Sequence, residues 1–174
     1  GSNSSIVKSI YTSSGVVLIG TIGETSNQKL VSGNGFGKTD GFIAKIAQNG
    51  GLIWSSRLGG SLEDIATSVI ADSDNTFWVL GASESSVALT TAETNVIVIN
   101  PDSITVSKET NRSLGLLTTN VWHISASGEL IGTIKYQSAT PIMPRDLVAS
   151  PDGLVIVGDL MVANGRVGQV LFCN

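Results

Sequence analysis

Apolar residues come in runs of four along this chain, and three of those runs end on a glycine: Val16-Val17-Leu18-Ile19-Gly20, Phe77-Trp78-Val79-Leu80-Gly81 and Leu154-Val155-Ile156-Val157-Gly158. Each run follows a turn signal, Ser13-Ser14-Gly15, Asp72-Ser73-Asp74-Asn75 or Pro151-Asp152-Gly153. Each turn in its own right follows another strand-like segment, at 6–12, 65–71 and 145–150. Glycine tolerates positive φ, Asp and Asn bond nearby backbone, and Pro presets φ, so every unit opens with a predicted β-hairpin. The recurrence marks an internal repeat of units too small to bury their own apolar faces.

A second hairpin follows in two of the units. Phe42-Ile43-Ala44-Lys45-Ile46, the turn Gln48-Asn49-Gly50 and Leu52-Ile53-Trp54 recur 78 residues later as Val121-Trp122-His123-Ile124, Ala126-Ser127-Gly128 and Leu130-Ile131-Gly132. The repeat therefore has four strands. The third copy reaches its third strand at 167–172 and is one strand short at Asn174. The marker glycines stand 61 and then 77 residues apart, because the loop at 24–39 in the first unit is replaced by 83–118 in the second. That longer segment predicts an inserted hairpin at 96–99 and 104–106, turning through Asn100-Pro101-Asp102-Ser103. Insertions in repeat proteins gather on one rim, often the binding face. Val96, Ile97, Pro101 and Ile104 of the insertion are candidate interaction residues, with Val167 and Val170 of the last strand, whose outer edge is expected to lack a partner.

Continuous apolar runs, as opposed to alternating ones, predict strands covered on both faces. No segment has helical periodicity, so the covering layer is expected to be more sheet. Four-stranded sheets packed face to face around an axis describe an all-β fold of β-propeller blades. The expected boundaries are 5–58 for blade one, 64–136 for blade two with its insertion at about 87–118, and 143–174 for the incomplete blade three. Propellers close with four to eight blades. The chain is thus expected not to be a closed monomer, but to self-associate as a dimeric ring or filament, or to belong to a longer propeller.

Between the first two units the residues become more specific. Asp40-Gly41-Phe42-Ile43-Ala44-Lys45-Ile46, then Gly59-Gly60-Ser61, Asp64 and the Asp72-to-Asn75 turn, resemble the bacterial β-propeller repeat family called SBBP. The resemblance is good over 39–82, partial over 1–38, poor over 83–118 and moderate after 119. It implies a propeller fold and an extracellular or cell-surface setting, and it implies no activity.

Composition narrows the partners. Only 14% of the 174 residues are charged, the net charge is −4, and the ten basic residues are scattered. Nucleic acid binding, which needs clustered Lys and Arg, is therefore not expected. No run approaches the roughly 18 apolar residues of a membrane span. One cysteine, Cys173, excludes an intramolecular disulfide and reads as a small apolar residue at a strand end, or as a link between chains.

Several patterns imitate chemistry. The segment from Ser32 to Thr39 is one residue from a phosphate loop, but a strand is predicted where such a loop needs a helix. Asp72 and Asp74 are weak calcium candidates with i, i+2 spacing, although Phe77 and Ser83 occupy the places of the required Gly and Glu. Asp40, Glu63 and Asp64 would contribute to a metal site only if folding brought them together. His123 is the sole histidine and reads as a packed strand residue; Trp54, Trp78 and Trp122 read as core. With no repeated acid, base or ligand set, no cofactor and no catalytic residue are assigned. The expected function is a noncatalytic secreted or surface module for assembly or protein interaction. Alternatives are a lectin-like carbohydrate or small-ligand propeller, and a fragment of a propeller enzyme.

Overall fold

In the computed structural model the described residues are 4–24, 30–31, 34–72, 74–84, 96–100, 103–107, 118–136, 142–162 and 165–173. They form thirteen β-strands and no helix. β1 (Ser5–Thr12), β2 (Gly15–Gly23), β3 (Thr39–Ile46) and β4 (Leu52–Leu58) make the first sheet, in chain order. The second joins β5 (Asp64–Ala71), β6 (Phe77–Ser83), β9 (Thr118–Ile124) and β10 (Leu130–Tyr136), and the third β11 (Ile142–Ser150), β12 (Gly153–Val162) and β13 (Gly165–Cys173). All pairings within these sheets are antiparallel. The inserted hairpin is β7 (Val96–Asn100) with β8 (Ser103–Ser107), a two-stranded sheet set between β6 and β9 in sequence.

The marker glycines have a shared cause. The first strand of each of the three larger sheets carries a β-bulge, between Ile6 and Lys8, Ala66 and Ser68, and Pro144 and Asp146. Gly20, Gly81 and Gly158 lie opposite Ile6, Ala66 and Pro144, just where the bulge begins. A bulge bends its strand, and the carbonyls of Ser5, Ile65 and Met143 press against the three glycines where a Cβ would stand. Only a residue without a side chain fits there.

The sheets pack face to face, and the same register positions do the packing. On the front of the first sheet Ile10, Val17, Ile19 and Ile43 meet Val69, Phe77, Val79, Trp122 and Ile124 on the rear of the second. On the front of the second sheet Ile70, Trp78, Leu80 and Val121 meet Leu147, Leu154, Ile156 and Leu171 on the rear of the third. A smaller cluster, Ile22, Phe42 and Ala44, is covered on the rear of the first sheet by Leu30 and Val31. The middle run, Phe77 to Leu80, is apolar throughout because its alternate residues serve two different junctions; the first and third runs each give one set of alternate residues to a junction.

Candidate functional site

The first strands β1, β5 and β11 lie side by side, and the residue after each bulge reaches its neighbours. Lys8 Nζ donates to Ser68 Oγ and to Asp146 Oδ1, each at 2.8 Å. The Ser68 hydroxyl donates to Asp146 Oδ1 at 2.6 Å and accepts from the Leu147 amide at 3.3 Å. The Lys8 ammonium and Ser68 hydroxyl hold the Asp146 carboxyl below the ordinary aspartate value. A serine beside a lysine can be a nucleophile with its base. Here Ser68 is fully buried, and its single donor and both acceptor positions are in use. The cluster thus joins three sheets, with its ends toward solvent: the Lys8 and Asp146 side chains are 34% and 51% exposed.

Two other carboxylates organise the passage from the first sheet to the second. Asp40 Oδ2, buried on β3, accepts from Arg57 Nη1 at 2.8 Å and from the Phe36 amide at 3.0 Å. Asp64 Oδ2, buried at the start of β5, accepts from the Gly60 amide at 2.8 Å. Both acids therefore hold backbone turns. The role of Arg57 was not read from the sequence, although its place opposite Phe42 on β4 follows from the hairpin register.

The Asp72 to Asn75 turn is closed from within. Asp74 Oδ1 accepts from the Thr76 amide and hydroxyl at 3.1 and 2.6 Å, which lowers its pKa. Trp78 Nε1 donates to Asp72 Oδ2 at 2.9 Å, and Asn75 takes the left-handed conformation with φ of 64°. His123 stacks on Trp78 at 3.8 Å between ring centroids, and its Nε2 lies 3.0 Å from Thr76 Oγ1. Trp122 is core. Trp54, half-buried, donates from Nε1 to the Ala126 carbonyl and packs on Gly128, so that β4 is fastened to the β9–β10 turn. Among the described residues no three His, Cys, Asp or Glu side chains group as metal ligands, and no helix is long and apolar enough to cross a membrane. Thr39, at the end of the phosphate-loop-like segment, enters strand β3.

The front of the third sheet is an open apolar face. Val148, Val155, Val157 and Val170 occupy on the third sheet the positions held by Ile70, Trp78, Leu80 and Val121 on the second; Val148 pairs with Val155 and Val157 with Val170. Val148, Val157 and Val170 are 49%, 37% and 53% exposed, whereas Leu80 and Val121 are wholly buried. Val167 of β13 is also exposed. Val96, Ile97 and Ile104 lie on β7 and β8, and Pro101 falls outside the described residues. No protein-family model matches the chain, and no curated protein matches it in sequence.

Proposed function

We propose that this chain is a set of β-propeller blades whose role is noncatalytic: a bacterial secreted or cell-surface module that works by assembly and protein interaction, with self-association as its first partner. The observation that carries the reading is the repeated junction. Two successive sheets present the same four register positions to the next sheet, and the third presents them to solvent. The likeness of residues 39–82 to the SBBP repeat supports the blade assignment and the extracellular setting. The polar residues that could suggest catalysis or metal binding are engaged in structural bonds: Ser68 with Lys8 and Asp146, His123 with Thr76, and Asp40 with Arg57.

Light scattering on the purified chain at micromolar concentration tests this. A dimer is expected if the blades close into a ring of six, and an indefinite series of sizes if they stack into a filament. A stable monomer of 18.0 kDa would overturn the assembly role.

A further inference from the structure

We propose that the open front of the third sheet seats, head to tail, on the rear of the first sheet of a second copy of this chain. The inference rests on the assembly reading above and specifies its surface. Both junctions inside the chain join a front to a rear. In each, the cross-strand pairs Ile10 with Val17 and Ile19 with Ile43, or Ile70 with Trp78 and Leu80 with Val121, lie on the side chains of the following sheet. Val148 with Val155 and Val157 with Val170 repeat that pattern on the third sheet.

The matching surface exists at the other end of the stack. On the rear of the first sheet Tyr11, Val16, Leu18, Ala44 and Ile46 stand in the register that Ala71, Phe77, Val79, Trp122 and Ile124 hold on the rear of the second. Among the described residues, Leu30 and Val31 pack against the end of that face containing Ile22, Phe42 and Ala44. Val16, Leu18 and Ile46 are left half-buried and Tyr11 is 75% exposed.

Charge favours the same orientation over a front-to-front contact. The three first strands place Lys8, Ser68 and Asp146 in order, and a head-to-tail neighbour brings its own β1, with Lys8, beside β11 and the half-exposed Asp146. A front-to-front contact brings two Asp146 carboxylates to one junction instead, and like charges disfavour it. Head-to-tail association covers the open front of the third sheet and the exposed part of the rear of β1–β3 in a single step, giving a closed ring if the rotation matches and a filament if it does not.

Two variants test the assignment by light scattering. A front variant carries Val148→Asp and Val170→Asp; a rear variant carries Tyr11→Asp and Val16→Asp. Each alone is expected to associate at least a hundredfold more weakly than the parent chain, while an equimolar mixture forms a complex containing one of each through the one intact junction. Circular dichroism checks that both keep their β-structure. If either double variant fails to fold, Val170→Asp or Tyr11→Asp alone replaces it, since both positions are more than half exposed at 53% and 75%. A rear variant that associates like the parent would overturn the proposal in favour of a front-to-front pair. A front variant that does so, or a mixture that stays monomeric, would also overturn it, leaving the assembly role itself standing. A monomeric parent chain would remove both.

Discussion

The fronts of the second and third sheets are built on the same register and meet different fates. Leu80 and Val121 are sealed beneath Ile156 and Leu171, whereas Val157 and Val170, in the corresponding places, face solvent. The difference lies in what comes next rather than in the strand. A run of four apolar residues encodes two faces, and each face is buried only if another sheet arrives to cover it. The second sheet is covered from both sides and forms the middle of the molecule; the third is covered from one.

Truncation should separate the two faces most strongly. Leu80→Ala opens a cavity in a closed junction and is expected to cost about 2–5 kcal/mol in chemical denaturation. Val157→Ala removes carbon already in contact with water. In the Val170→Asp background, which keeps the third front open, it is expected to cost less than about 1 kcal/mol. Equal losses at the two positions would mean that the third front is covered within a single chain, and the comparison would collapse.

The marker glycines sharpen the comparison at the next level. A methyl group at Gly81 would run into the Ile65 carbonyl and the ring of Trp122, both fixed in a closed junction. At Gly158 it would meet the Met143 carbonyl at 2.8 Å and the Cγ2 methyl of buried Ile142 at 3.0 Å, both looser than the contacts at Gly81. Overpacking of this kind costs about 1–3 kcal/mol. Gly81→Ala is expected at or above the top of that range and Gly158→Ala near its foot, read as midpoints of thermal unfolding. The reverse order would show that the third bulge is the more rigid of the two.

Much of this was legible in the chain because hairpins are local. The turns at Gly15, Asn75 and Gly153, the runs that follow them and the inserted pair β7–β8 could be placed from turn chemistry and apolar patterning alone. The all-β class followed from the same signals. The side chains that join the sheets were harder to find. Lys8, Ser68 and Asp146 are separated by 60 and 78 residues, and nothing near any of them signals a bond. The hairpin registers give their equivalence, opposite Ile19, Leu80 and Val157, but contact requires that three first strands lie side by side and that each be bulged one residue earlier. Asp40 stood out in the pattern for its place at the head of β3. Its partner Arg57 did not, because a single arginine in the outer strand β4 looks like a solvated charge until the segment with Phe36 folds over it.

The smallest expected effect concerns the charged link between Lys8 of the first sheet and Asp146 of the third. Lys8 and Ser68 hold the Asp146 carboxyl below its ordinary value in the folded chain, while in the unfolded chain it returns to about 3.9. A depressed folded value means that the ionised group stabilises the fold at every pH above about 4, and that the contribution is lost as the pH falls through the lowered folded value. Melting temperatures of the parent chain should therefore fall more steeply below about pH 4 than those of Asp146→Asn, which cannot titrate. The two curves should differ by only a few degrees, because half of the Asp146 side chain faces water and screening weakens the pair. Parallel curves from neutral pH to pH 2.5 would show that the link between Lys8 and Asp146 adds nothing, and that the third sheet is held by Leu147, Ile156 and Leu171 alone.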